Sequence, residues 1–234
     1  IKNYHHLRFR FDRHVIDKNV LMKGFEFGLP PSAQSGASSV GNLILQRFMN
    51  GFGEQTVAAI TTAYRVDTMI LLPIINFGSG VATVVAQNIG AKNYERANET
   101  LKIGVTIMAA ISICLTVLVL FTGEYLLTMF GLTRESVQIG NSFFRAIASC
   151  YIIYGLSMTL RGYLEGTGDM IFSGIAGFVS LIVRIVASYM FAGRFGNMVV
   201  AYAEAFSWVV LLSLYIIRFL KIRRITATNE RNCA

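Results

Sequence analysis

The chain has 234 residues, 54% of them hydrophobic and only 15% charged, with a formal net charge of +8. An average soluble domain is roughly 45–50% apolar and about 25% charged, so this is a membrane composition. In a soluble protein the positive balance would suggest nucleic acid; here the basic residues fall mostly between apolar runs, which excludes that partner and marks them as topology determinants.

Residues 1–27 read as a basic interfacial linker lying at lipid head groups. Leu7–Phe11 alternates as a short strand would. His5, His6 and His14 also sit here, without a cysteine or carboxylate pattern, so no metal site is expected. The stretch lacks the apolar core and small-residue cleavage site of a signal peptide. A start at Ile1 fits a fragment of a longer chain.

The first span is expected at about Gly28–Phe48, entered through Leu29-Pro30-Pro31, where proline is tolerated because the first helical amides lack partners anyway. Ser35, Ser39, Asn42 and Gln46 fall at i, i+4, i+7 and i+11, a continuous polar stripe that Gln34 and Ser38 widen. In lipid such a stripe must face protein or water. Two readings stay open: hydrogen-bonding glue between helices, or the wall of a water-filled cavity that faces a solute.

The second span, Val57–Val85, outruns the ~20 residues needed to cross a ~30 Å hydrocarbon core. It must tilt or bend, and Pro73 marks the expected bend. Arg65 and Asp67 lie inside it, where charge is costly and usually functional. After a short amphipathic lead-in, Tyr94–Lys102, the third span (about Leu101–Phe121) is charge-free from Ile103 on. The fourth is expected at Asn141–Leu160, the fifth at Met170–Ala192 and the sixth at Met198–Leu220, before a tail of residues 221–234. Short polar turns separate them at Gly131–Glu135, Glu165–Asp169 and Gly193–Asn197.

Tyr151, Tyr154 and Met158 follow i, i+3, i+7 on the fourth span, an aromatic and thioether face suited to hydrophobic or cationic aromatic solutes. Arg184 in the fifth span and Glu204 in the sixth lie roughly 12 and 9 Å below their outer ends at 1.5 Å per residue. Arg65 and Asp67 lie roughly 12 and 15 Å below theirs, with Asn42 level with them. A polar layer in the outer half follows, in which Arg184 and Glu204 on consecutive antiparallel helices can pair. These charges serve either as structural ion pairs or as a gate or coupling element.

Six spans put both termini on one side. Fifteen of the 21 lysines and arginines fall on that side and five on the other, with Arg184 within a span. The bias places both termini in the cytoplasm. Cys114, Cys150 and Cys233 show no metal-type spacing and read as small buried hydrophobes. Gly78-Ser79-Gly80 and Gly166-Thr167-Gly168 do not follow strands of a βαβ unit, and no zinc-protease, nucleophile-elbow or Cys-x-x-Cys motif occurs. Neither an enzyme nor a cofactor is expected. The fold expected from these residues is an all-α integral membrane bundle of six transmembrane helices.

Several phrases, in order, resemble the C-terminal half of multidrug and toxic compound extrusion (MATE) transporters. They are Gly28-Leu29-Pro30, Asn42–Arg47, Asn50–Gly53, Ala58-Ala59, the Gln87–Ala97 cluster, Leu164–Asp169, Arg184 and Tyr202-Ala203-Glu204. Singly they are unspecific; their order from Gly28 to Leu220 is specific. The resemblance implies one lobe of a twelve-helix, two-lobed antiporter in the cell (inner) membrane, with an N-terminal six-helix lobe missing here. Its expected cargo is small organic cations, exported by alternating access in exchange for H⁺ or Na⁺. One branch of the family carries its cation site on acidic residues of the first and fourth spans of this lobe. Ser38 and Tyr154 stand at those places, so the resemblance carries no such site over. Two other readings stay open: a lipid or lipid-linked sugar flippase of the same superfamily, and a self-contained six-span channel or structural subunit.

Overall fold

A computed structural model describes residues 17–233. The alternating stretch Leu7–Phe11 of the expected linker and the three histidines lie outside those residues. Among the described residues the chain forms seven α-helices and no strand: α1 (Lys18–Met49), α2 (Glu54–Gly90), α3 (Tyr94–Met129), α4 (Arg134–Ala148), α5 (Tyr151–Gly166), α6 (Met170–Phe195) and α7 (Val199–Cys233). Local chemistry sets the ends. The side chains of Asp17, Asn93 and Thr133 accept from the amides of Asn19, Arg96 and Ser136, supplying the orphan donors of a helix start. Gly53, Gly168 and Gly196 take positive φ at three of the turns, where a side chain would be strained.

Two boundaries differ from expectation. α1 already begins at Lys18, so helix starts ten residues before the expected first span. α7 runs on through Cys233, past the expected end at Leu220. α2 passes through Pro73 as one helical element. An unexpected interruption falls in the fourth span, where α4 and α5 meet at a 50° bend across Ser149 and Cys150. Thr116 Oγ1 of α3 donates 2.8 Å to the carbonyl of Ala148, at the last residue of α4, so an acceptor freed by the break is satisfied.

By length and apolarity three stretches reach what a membrane crossing needs: Glu54–Gly90, Tyr94–Met129 and Met170–Arg223, with the bent α4–α5 pair as a fourth. The last stretch folds back at Gly196 into α6 and α7, antiparallel, as the Ser180–Ser207 and Arg184–Glu204 contacts record. α1 is long enough but its polar stripe keeps it below that apolarity. The result is a multi-pass, six-span bundle, with α4 and α5 sharing one span.

Parallel pairs fix its interior. α2 lies along α4 and α5, and α1 along α6, with contacts that advance in step on both partners. A Cβ on Gly162 of α5 would run into the carbonyl oxygen of Gly78 of α2, and one on Gly166 would meet the Ala82 carbonyl oxygen at 2.7 Å. Only glycine permits that approach, the usual device for packing helices without water. Around it Ile60, Ile74, Met108, Phe143, Phe144 and Tyr151 form the core. Apolar side chains such as Phe121, Met190 and Ile217 are exposed on the outside, where a lipid surface would meet them. Cys114 is among the exposed positions and Cys150 is only half-buried at the break, so neither is the buried hydrophobe expected.

Candidate functional site: a polar cleft between α1, α2 and the α6–α7 pair

A cleft of about 390 Å³ opens in the half of the bundle near the α1–α2 turn. α1 contributes Asn42 and Gln46, α2 contributes Tyr64, Arg65, Asp67 and Thr68, and α5, α6 and α7 contribute Tyr154, Arg184 and Glu204. Residues spread over more than 160 positions thus meet at one depth, as the helical rise predicts.

Arg184 is the centre of the network. Its Nη2 donates 3.2 Å to Glu204 Oε2 and 2.8 Å to Tyr64 Oη. The expected pair is therefore formed, and Tyr64, which the sequence did not single out, joins it. Tyr64 is itself braced edge-on by Phe143 at 4.9 Å between ring centres. Arg184 Nε is buried without an acceptor among the described residues. Asp67 is 3% exposed and accepts a hydrogen bond from the hydroxyl of Tyr151. A buried carboxylate needs such a donor, since desolvating it alone would cost several kcal/mol.

The three residues expected on one solute face fan apart. Tyr151 is fully buried and spends its hydroxyl on Asp67. Met158 packs against Gly78 beside the α2–α5 contact. Tyr154 alone reaches the cleft, and it is backed by Trp208 at 4.7 Å between ring centres and 33° between planes.

The α1 stripe divides as well. Asn42 and Gln46 face the cleft. Gln34 is glue: its Oε1 accepts from Arg161 Nη2 at 3.2 Å, and its side chain lies against Gly177 of α6. Ser35 and Ser39 are exposed, and the Ser39 hydroxyl donates to the Ser35 carbonyl at 3.0 Å. Sequence reasoning missed the cluster that Gln34 enters. Arg161 Nε donates 2.7 Å to Glu165 Oε1, which also accepts from Ser173 Oγ at 2.7 Å, tying α1, α5 and α6 together. The i, i+4 spacing of Arg161 and Glu165 was the available signal.

A second polar stripe was also passed over. Thr68, Asn76, Ser79 and Thr83 recur at helical spacing on α2, all exposed. Each donates to the carbonyl four residues earlier, as Ser32 and Ser39 do on α1. The two stripes give the lobe a polar, self-bonded surface beside the cleft.

The family model described as MatE matches residues 31–190. Among curated proteins, the Probable multidrug resistance protein YoeA of Bacillus subtilis is 22% identical over 216 residues, covering 88% of this chain and 46% of that protein. The Multidrug export protein MepA of Staphylococcus saprophyticus is 24% identical over 179 residues, covering 76% and 40%. One relative is named for multidrug resistance and the other for multidrug export. Among solved structures, an outward-facing multidrug resistance MATE family transporter of the MOP superfamily has a TM-score of 0.78 at 23% identity, covering 85% of this chain and 44% of its own. A MOP superfamily transporter from Pyrococcus furiosus, described as having a binding pocket of reverse polarity, has a TM-score of 0.76 at 22% identity, covering 81% and 42%. At that identity the structures speak for the fold, one six-helix lobe of the transporter architecture. The chain spans about half the length of the curated relatives it matches. With well over half of its residues matched by the family model, the chain belongs to the MatE family.

Proposed function

We propose that this chain is the second lobe of a cation-coupled exporter of small organic molecules that works by alternating access, paired with another six-helix lobe. The observation that carries the reading is the cleft, which two largely buried carboxylates, Asp67 and Glu204, help to line. A carboxylate at that depth can be loaded by H⁺ or Na⁺ from one side and unloaded to the other, biasing two conformations by its different contacts in each. The self-bonded polar stripes of α1 and α2 offer the surface against which a partner lobe would close. Tyr154, held by Trp208, supplies a ring face for flat aromatic cargo. A flippase for pyrophosphate-linked sugars would need clustered unpaired basic residues, whereas here Arg184 is already engaged by Glu204.

The test is efflux of a fluorescent aromatic dye by the complete transporter under an imposed H⁺ gradient and then a Na⁺ gradient. Asp67→Asn should lower gradient-driven efflux by roughly tenfold or more while dye binding persists, since it removes a step and not a binding contact. Unchanged efflux under both gradients would remove Asp67 from coupling.

The Lys/Arg asymmetry supports an orientation in the cell (inner) membrane with both termini cytoplasmic. In a variant lacking the native cysteines, single cysteines within Gly131–Glu135 should react with an impermeant maleimide from outside. Those within Lys92–Arg96 should react only after permeabilisation. The reverse pattern would invert the topology.

A further inference from the structure

A second groove, of about 720 Å³, runs between α2 and α3 at the end where their turn joins them. Val84 of α2 and Ile103 and Ile107 of α3 line it, all three exposed. Arg96 and Glu99 stand at its mouth, in the first turns of α3. Gly80 keeps the α2 side open, since nothing lies within 4 Å of where its Cβ would be. From Arg96 to Ile107 the helix rises roughly 16 Å, close to the ~15 Å of hydrocarbon in one leaflet. Charge at the mouth, apolar walls inward and the depth of a leaflet together match the profile of a phospholipid.

The two charges select the headgroup. Arg96 and Glu99 are both exposed and enter no ion pair among the described residues. The local backbone is satisfied without them: Asn93 Oδ1 accepts from the Arg96 amide at 3.1 Å, and the Thr100 hydroxyl donates 2.8 Å to the Arg96 carbonyl. The guanidinium is a planar fork of donors that matches phosphate oxygens, and Glu99 offers a carboxylate to an ammonium. Residues three apart on a helix hold their Cβ atoms about 5–6 Å apart, comparable with the phosphate-to-amine span of an ethanolamine headgroup. A purely anionic headgroup would meet Arg96 but be repelled by Glu99. A zwitterionic one lying across the mouth engages both.

We propose that the α2–α3 groove is a binding site for an aminophospholipid, phosphatidylethanolamine being the simplest, drawn from the leaflet on the side of the α2–α3 turn. Its phosphate is held by Arg96, its ammonium by Glu99, and one acyl chain lies along Val84, Ile103 and Ile107. The site is separate from the polar cleft and does not depend on what the cleft carries.

The experiment uses the complete transporter in detergent and phosphatidylethanolamine with a photoactivatable diazirine on one acyl chain, the crosslinked peptides being mapped by mass spectrometry. Unlabelled phosphatidylethanolamine, phosphatidylcholine and phosphatidylglycerol compete in separate arms. Crosslinks should fall on Val84, Ile103 or Ile107. Phosphatidylethanolamine should compete roughly tenfold better than phosphatidylglycerol, which lacks the ammonium, the size expected for one charge-assisted contact. Phosphatidylcholine, whose cation has no N–H donor, should fall between them. Glu99→Gln should abolish the preference for phosphatidylethanolamine over phosphatidylglycerol, while Arg96→Gln should weaken all three lipids, because they share the phosphate. Gly80→Phe, which fills the open side, should clear the crosslinks from the groove. Both charged positions are exposed, so Arg96→Gln and Glu99→Gln should melt as the parent does, and a lost preference then reports lipid contact and not folding. Crosslinks that miss both helices, as when another lobe covers the groove, overturn the proposal. Equal competition by the three lipids in the parent, or an unchanged preference in Glu99→Gln, overturns it as well.

Discussion

Gly162→Ala should leave little folded protein. The added methyl would be driven into the carbonyl oxygen of Gly78, and a Cβ on Gly78 would in turn meet the Met158 carbonyl oxygen at 2.9 Å. Both obstacles are backbone, so no rotamer change relieves them. Ordinary overpacking costs about 1–3 kcal/mol because side chains shift; here α5 and α2 would have to separate along a shared face, and the cost should exceed that range. The measurement is monodispersity and melting temperature of the detergent-solubilised protein. Gly80→Ala, on α2 two residues from Gly78 and with nothing within 4 Å of a new Cβ, should behave as the parent. A normal melt for Gly162→Ala would mean that α2 and α5 do not meet there.

The second large effect is expected at Glu204. Glu204→Ala leaves the Arg184 guanidinium, whose Nε already lacks an acceptor, with Tyr64 alone. Removing one member of a buried pair typically costs about 3–5 kcal/mol, because the surviving charge stays desolvated. Replacing both residues by methionine and leucine should recover most of that stability, since the pair as a whole contributes little net. Transport should not recover if the pair is part of the mechanism. Melting temperature and dye efflux, measured on the same three proteins, separate the two roles. If Glu204→Ala is as stable as the parent, the pair seen at 3.2 Å does not persist in the complete transporter.

The fold was legible wherever one helix's own pattern decided it. Six spans, their turns at Gly53, Gly168 and Gly196, and the level of Asn42, Arg65, Asp67, Arg184 and Glu204 all follow from length, glycine position and rise per residue. The Arg184–Glu204 pair followed too, because consecutive helices joined by a short turn must run antiparallel. What stayed hidden depends on other helices. The break at Ser149 and Cys150 carries no proline or glycine; it is supported by the Thr116 hydroxyl, 32 residues away. Pro73, the visible signal, marks no interruption of α2. Tyr151 looked like its neighbour Tyr154 because i and i+3 share a helical face. Only the position of α2 decides that one meets Asp67 and the other the cleft. Gln34 belonged by spacing to the stripe, yet Arg161 claims it. Periodicity gives direction around an axis and says nothing about which neighbour stands there.

The back-bonded hydroxyls and amides of α1 and α2 bear on how such a lobe is made. Ser32, Ser39, Thr68, Asn76, Ser79 and Thr83 each close a hydrogen bond within their own helix. A stripe satisfied in this way loses little when it meets hydrocarbon, because those donors are not left bare. During synthesis each helix can then leave the insertion machinery sideways into the bilayer before it has docked against another lobe. Such a face is tolerable to lipid until the lobes close on each other.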